Sequence, residues 1–429
     1  MKNIIKSVKG TRDYYPDEMG FRTWLYRKVR EVSESFGYQE FEGPFLESID
    51  LYAAKSGEEL VKEQSFVFPD RGGDLLTLRP ELTPTLVRMV AQRQRQLVYP
   101  LRWWSFGPFW RYERPQKGRT REFFQWNIDL IGIASPEADA EMVAIMAGLF
   151  KSVGLTPDEA IIAVNNRRLM DVEINKLEID PTARASITRL IDRKEKLSDE
   201  KWISYALELG LTPQQLENLH KLLGNNELWK KSEELIRFFK AIDSLGVSDY
   251  VQFNPQIIRG LDYYTGTVYE GKAVTPDIRR SIAGGGRYDN LLADVGGDPL
   301  PGTGFAMGDL VISILLEKLD HKPASLDLST APVVVTVFNE ELLLDSYHLA
   351  AELRTGGLKV AVYPTIEKLG KQFKYADRIG AKIGVVIGPE ELESHQVMVK
   401  NLSSGIQKSV SRNLVVDMIS AMLAPVNSP

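Results

Sequence analysis

At 429 residues the chain is long enough for two to four domains of about 150 residues each, which excludes a peptide or a disulfide-stapled mini-scaffold. Its 53 Lys+Arg against 58 Asp+Glu leave a formal charge of −5, so any nucleic-acid partner must meet a local basic patch. The 43% hydrophobic and 26% charged residues are those of a soluble globular chain, and the absence of cysteine removes thiol catalysis, disulfides and thiolate-bound zinc.

The N-terminus turns acidic at Asp13, Asp17 and Glu18, unlike a signal or transit peptide, and no stretch reaches the roughly 18 apolar residues of a membrane helix. A cytoplasmic address without membrane contact is expected. Phe21, Trp24, Leu25, Val29, Val32 and Phe36 recur at helical spacing with Gly37 as a stop, predicting an amphipathic helix. From 61 to 135 the segments LLTLRPEL (75–82), PLRWWSFGPFWRYE (100–113) and EFFQWNIDLIG (122–132) are rich in aromatic and β-branched residues. They predict an antiparallel sheet without regular helices between its strands.

A helix beginning near Glu137 leads into the strand IIAVNN (161–166), after which residues 167–250 read as charged, Leu-punctuated helices, an insertion. Strand texture returns over 251–273, followed by a glycine-dense run from Ala283 to Gly308 and an apolar helix over 310–319. The segment HKPASLDLST (321–330) has a linker's composition, and beyond it strands and helices alternate, predicting a separate α/β domain over 331–429. Ten Lys/Arg and ten Asp/Glu in that stretch argue against generic polyanion binding.

Three segments could carry chemistry. Arg111–Glu122 brings five cations and two carboxylates together around a Pro and a Gly between strand-like sequences, a basic hairpin loop whose guanidinium forks suit phosphate oxygens. A solvated charged loop accounts for the composition equally well. In Arg259–Glu270, strand alternation would put Tyr263 on one face and Asp262 and Tyr264 on the other, where tyrosine hydroxyls could fix a small polar ligand or simply line a sheet core. Glu81 and Thr83 place a carboxylate and a hydroxyl beside a strand end, although capping of a following helix explains Thr83 as well. The glycines of AGGGRYDNLL (283–292) and PGTGFAMGD (301–309) mark close backbone approach, to a ligand or a neighbouring strand, without matching a phosphate-loop spacing. His220, His321, His348 and His395 are scattered singly, so neither a metal held by histidines nor a serine triad is expected. Chemistry built on arginines and carboxylates around phosphate, with Mg²⁺, is.

Taken together, GTRDYYP (10–16), LRPELTP (78–84), FWRYERPQKGRTREFFQ (109–125), RGLDYYTGTVYE (259–270) and GGGRYDNLL (284–292) resemble the histidyl-tRNA synthetases, in that order and over nearly the whole chain. The resemblance implies an α+β fold: a class II synthetase antiparallel sheet with flanking helices over 1–325, interrupted by the helical insertion at about 167–250, and an α/β anticodon-binding domain over 331–429. It implies a homodimer whose interface includes the helix from Phe21 and the segment through Pro44. It also implies ATP-dependent activation of L-histidine to histidyl-adenylate with release of pyrophosphate, then transfer to the 3′ end of tRNA(His).

By position, the resemblance makes Arg111 and Arg259 the catalytic clamp on the α-phosphate, Arg119 and Arg121 ligands of the outer phosphates, Glu113 a partner of the adenine amino group and Phe123 its stacking ring. Glu81, Thr83 and Gln125 would hold the ammonium and carboxylate of histidine, with Asp129 and Tyr264 reading the imidazole and Tyr263 beside them. Arg114 and Gln116 would meet the tRNA acceptor end. One departure stands out: where the family usually has an arginine three residues after GFAMG, GFAMGDLVI has Val311, preceded by Asp309 and Leu310. Either the missing charge comes from elsewhere, with Arg119 and Arg287 as candidates, or ATP binding is weakened. The rival readings are the non-catalytic paralogue that serves as regulatory subunit of ATP phosphoribosyltransferase and a related class II synthetase for proline, threonine or glycine. Retention of residues 331–429 and of the hairpin segment argues against the first, and RGLDYY against the second.

Overall fold

The computed structural model describes residues 4–53, 63–116, 118–180, 183–194, 197–258, 263–275, 277–278, 280–323, 326 and 331–424. The chain divides into two compact units, Met1–Tyr14 with Phe21–Lys322, and Tyr15–Gly20 with Pro323–Pro429. In chain order the elements begin α1 (Pro16–Ser35), β1 (Gln39–Glu40), β2 (Leu46–Ser48), α2 (Ile49–Ala53), β3 (Phe66–Pro69), β4 (Leu75–Leu78), α3 (Thr83–Arg93), β5 (Leu101–Trp110), β6 (Glu122–Ile131) and α4 (Pro136–Ser152). They continue with β7 (Ala160–Asn166), α5 (Arg167–Asn175), α6 (Arg184–Asp192), α7 (Asp199–Glu208), α8 (Pro213–Leu223), α9 (Glu233–Ser244), β8 (Val251–Phe253), β9 (Thr267–Ala273), β10 (Ala283–Tyr288), β11 (Gly302–Gly308) and α10 (Asp309–Lys318).

Eight strands form one sheet in the order β1-β5-β6-β11-β10-β9-β7-β8. Only its outermost pairs, β1–β5 and β7–β8, are parallel. Because side chains alternate across a strand, this sheet has two chemically different faces. Trp104, Trp126, Ile128, Phe305 and Met307 fill one face, buried against α4. That helix is apolar around most of its girth, as a helix enclosed on several sides must be, and Met142, Val143, Ile145, Met146, Leu149 and Phe150 have no exposed surface. Ser135 caps it by accepting from the Ala138 N–H, with Pro136 in its first turn.

The other face carries Gln125, Asn127 and Asp129 of β6 beside Gly308, Ala306 and Gly304 of β11, and then Gly284 and Gly286 of β10. The glycines here answer to close approach by neighbouring atoms. A Cβ on Gly304 would lie 2.1 Å from Asp129 Oδ1, and one on Gly286 would lie 2.9 Å from Tyr264 Cδ1.

Helices α5–α9 occupy residues 167–244, with Asn166 capping α5 and a Thr212–Gln215 capping box starting α8. Leu190, Trp202, Leu219, Leu235 and Phe238 are their core residues. A separate sheet of order β2-β4-β3 precedes α3. The second unit holds β12 (Val333–Val335), α11 (Leu343–Thr355), β13 (Val360–Val362), α12 (Leu369–Arg378), β14 (Ile383–Val386), α13 (Pro389–Glu393), β15 (Gln396–Asn401), β16 (Gln407–Ser411) and α14 (Val415–Leu423). Its sheet runs β13-β12-β14-β15-β16, parallel through β14 and antiparallel thereafter, over a core that includes Val333, Val335, Leu349, Val385 and Ile419.

Three local expectations are corrected. Helix α3 interrupts the region read as continuous sheet, because Leu82, Leu86, Val87 and Val90 share one buried face with Pro84 in the first turn. Thr83 does not cap that helix: the capping position is Leu82, without a side-chain bond. The stretch 251–273 is two strands, and Tyr263 and Tyr264 precede the second, their ring centroids 4.7 Å apart rather than on opposite faces.

Arg287, on the α4 face of β10, closes on Asp139 with Nη2–Oδ1 at 2.8 Å and Nε–Oδ2 at 3.1 Å, and donates to the carbonyls of Ile133 and Ser135. Both side chains are almost wholly buried. Removing one partner strands a charge, so Arg287→Ala should cost about 3–5 kcal/mol, whereas the paired change Arg287→Met with Asp139→Leu should recover most of it. Urea unfolding midpoints check this, and an unchanged midpoint for Arg287→Ala would show that the pair does not hold α4.

Candidate active site

The register Trp110↔Glu122 closes the β5–β6 hairpin, making residues 111–121 its loop. The loop is pinned from outside. Gly10, at φ 89°, offers its carbonyl to the N–H groups of Arg121 (2.8 Å) and Glu122 (3.1 Å). Arg12 and Tyr14 reach Asp309 at the start of α10, at 2.7 and 3.4 Å, while Asp309 Oδ1 accepts from the Phe124 N–H at 3.0 Å. Burial and the Asp309 charge push the Tyr14 hydroxyl up to about 12, so it stays a donor. Arg79, wholly buried, donates to Glu42, to the Gly43 carbonyl and to the Pro108 carbonyl of β5, fixing the turn that presents Pro80, Glu81 and Thr83.

Two recesses result. Arg111, Glu113, Gly118, Arg119, Thr120 and Phe123 face Gly308, Asp309, Leu310 and Val311 across an open cleft. Arg111 donates from Nε to the Pro80 carbonyl at 2.9 Å and stands 5.4 Å from the Phe123 ring centroid, and Phe123 stacks on Phe109. Glu113 is buried and ion-paired with Arg119. An aromatic face, a carboxylate and a cationic rim in one cleft suit a planar heterocycle bearing an anion.

The second recess is lined by Glu81, Thr83, Pro84, Val87, Tyr263, Leu291 and Val295. Tyr263 leads inward to Tyr264 and, at 6.3 Å between centroids, to Tyr288, whose hydroxyl donates to Asp129 Oδ1 at 2.6 Å. Burial raises Asp129 from 3.8 to about 7, with the Tyr288 bond opposing the shift. A carboxyl poised there can accept a hydrogen bond when ionised or donate one when protonated.

The residues singled out from sequence are thus distributed in defined ways. Arg111, Glu113, Arg119 and Phe123 share the first cleft, and Glu81, Thr83 and Tyr263 the second. Gln125 and Asp129 lie on the polar face of the sheet. Arg121 does not line the first cleft; its Nε donates to the Glu113 carbonyl and its guanidinium covers Tyr112 at 4.3 Å. Arg114 and Gln116 are exposed on the loop. Arg259 and Asp262 lie outside the described residues. The expectation that Arg287 supplies the charge missing at Val311 is corrected, since its alternation on β10 sends it to the α4 face.

Tyr288 and Asn127 escape the sequence reading. Asn127 shares the face of Gln125 and Asp129, and its Nδ2 is buried without a hydrogen-bond partner among the described residues. Period-two alternation in QWNID carries the signal for Asn127; that for Tyr288 needs the strand pairing.

Between pH 3.8 and about 7 the folded chain keeps a proton on Asp129 that the unfolded chain has lost. Stability therefore falls as pH rises through that window and is level above it. Asp129→Asn keeps an acceptor for Tyr288 and has no proton to lose. Its stability relative to the parent should rise by a few kcal/mol at most between pH 4 and pH 8, measured as the difference in melting temperature. A constant difference across that range would contradict the buried, elevated carboxyl.

A family model described as histidyl-tRNA synthetase matches residues 10–312, and one described as an anticodon binding domain matches residues 332–422. The histidine–tRNA ligase of Haloarcula marismortui is 36% identical over 418 residues, covering 94% of this chain and 95% of its own. That of Pyrococcus horikoshii is 35% identical over 439 residues, covering 98% and 100%. The crystal structure of histidyl-tRNA synthetase from a Nostoc species superposes with a TM-score of 0.82 at 26% identity, over 98% of this chain and 100% of that one. On these matches, with the antiparallel-rich sheet and its two clefts, the chain belongs to the histidyl-tRNA synthetase family of class II aminoacyl-tRNA synthetases.

Proposed function

We propose that the chain is a histidine–tRNA ligase. A carboxylate oxygen of L-histidine attacks the α-phosphorus of ATP, supplied as its Mg²⁺ complex, and the bond to pyrophosphate breaks. The 3′-terminal adenosine hydroxyl of tRNA(His) then attacks the carbonyl of the histidyl-adenylate and AMP leaves. The observation that carries this reading is that one sheet face joins an aromatic, cation-rimmed cleft to a recess of tyrosines and carboxylates. Phe123 and Glu113 take the adenine, Arg111 and Arg259 the α-phosphate where negative charge builds, and Arg119 the outer phosphates. Glu81, Thr83 and Gln125 hold the amino-acid ends, and Asp129, Tyr263 and Tyr264 the imidazole. A non-imidazole side chain would leave that buried polar set unpaired, which supplies specificity without editing. The exposed Arg114 and Gln116 meet the acceptor end, and the second unit the anticodon.

Phe45, Leu46, Val67, Phe68 and Leu75 are large apolar residues left exposed on and beside the β2-β4-β3 sheet. They support a homodimer in which a second copy covers this sheet. Sedimentation should then give twice the chain mass, and Phe68→Glu should shift the population toward monomer; a monomeric parent would refute the dimer.

Amino-acid-dependent exchange of pyrophosphate into ATP tests the ligase reading. Histidine alone among the amino acids should support exchange, and Arg111→Ala should slow it by about 10²–10³-fold, the usual loss when one transition-state charge stabiliser is removed. Histidine binding without exchange would instead mark a regulatory paralogue, and exchange with proline, threonine or glycine a different ligase.

A further inference from the structure

We infer that Arg280 binds the outer phosphates of the nucleotide in the first cleft, alongside Arg119. The inference deepens the ligase reading and rests on it for the identity of the nucleotide. Arg280 lies just ahead of β10, and its side chain crosses to the tip of the basic hairpin. A Cβ on Gly118 would stand 3.1 Å from Arg280 Cδ, 3.7 Å from its Nε and 3.9 Å from Val311 Cγ2. Gly118, at φ 77°, is therefore the place where the hairpin and Val311, both in the cleft wall, meet Arg280, which stands directly behind that wall.

The surroundings of this guanidinium do not account for its position. Its hydrogen bond from Nη1 to the Gly118 carbonyl is long at 3.4 Å. Among the described residues no carboxylate lies within 4.0 Å of it. The charges it feels are Arg119, which opposes it, and Glu113, which is already engaged by Arg119. Burial and Arg119 hold it below the usual arginine range, a cost that a half-buried cation next to a like charge must bear until an anion arrives. The adjacent wall, Leu310 and Val311, offers no charge. Two guanidinium groups within coulombic reach of each other, with Glu113 already engaged by Arg119 and Asp309 by Arg12, match a polyphosphate rather than a single carboxylate ligand.

The test uses the full-length chain, its Arg280→Ala variant and its Arg280→Lys variant in histidine-dependent pyrophosphate exchange. Arg280→Ala should raise the KM for ATP by about tenfold or more, the loss of one charge-assisted phosphate contact, with the KM for histidine within about twofold. Inhibition by pyrophosphate should weaken in parallel while inhibition by AMP does not, and Arg280→Lys should fall between. A residue that merely shaped the loop would weaken AMP and ATP alike. An ATP KM within about twofold of the parent, or an equal loss of AMP affinity, would overturn the inference. Should the parent itself show no exchange, the ligase reading falls, and calorimetric binding of pyrophosphate to parent and Arg280→Lys then decides whether Arg280 holds phosphate.

Discussion

The two faces of the eight-stranded sheet cannot be interchanged, and nearly every feature of the site follows from that constraint. Large apolar residues at alternate positions of β5, β6 and β11 commit one face to α4. The intervening positions are thereby committed to the opposite face, where glycine, alanine, glutamine, asparagine and aspartate leave room beside a polar floor. A slip of one residue in β6 would send Trp126 to the cleft and Asp129 into α4, so the hydrophobic pattern fixes the register of the chemistry. Gly304 tightens the same condition, since its missing Cβ is the space that Asp129 Oδ1 occupies.

Buried charged groups then fix what alternation leaves loose. Arg79 ties the segment around Glu42 and Gly43 to β5, so the Pro80 carbonyl stands where Arg111 Nε can reach it. Arg287 and Asp139 hold the start of α4 against β10. Such groups are expensive to desolvate, and their value here is positional: each has several oriented partners, so each allows few geometries. The electrostatic cost of the arrangement is concentrated at Asp129, the site carboxyl whose burial opposes its charge strongly enough to bring it to about 7.

The fold and the two clefts were legible in the sequence to different depths. The basic run Arg111–Glu122 between two aromatic strands declared a hairpin loop, because charge cannot be buried there and strands need a connection. Helix α3 was hidden by its neighbours, its own helical spacing of Leu82, Leu86 and Val90 being overshadowed by the strand-forming residues on either side. Tyr263 and Tyr264 read as strand because alternation looks the same in a strand and in a loop of mixed polarity. Tyr288 and Arg280 could not be found at all from local pattern. Tyr288 meets Asp129 across 159 residues of sequence, and Arg280 meets Gly118 across 162, contacts that exist only once β10, β11 and β6 are paired.

Val311 and Asp309 give the first cleft one apolar and one acidic wall residue. A carboxylate at its wall, such as Asp309, would ordinarily repel phosphate. Here Arg12 sits 2.7 Å from one oxygen and the Phe124 N–H 3.0 Å from the other, so its charge is spent on the frame before any ligand enters. On the proposed reading the favourable field comes from other segments. Coulombic attraction depends on distance and exposure rather than on which strand supplies the cation, whereas ring stacking demands a fixed plane. Phe123 accordingly has its plane built into β6, while the cations near this cleft come from the hairpin at Arg119 and from the segment before β10 at Arg280.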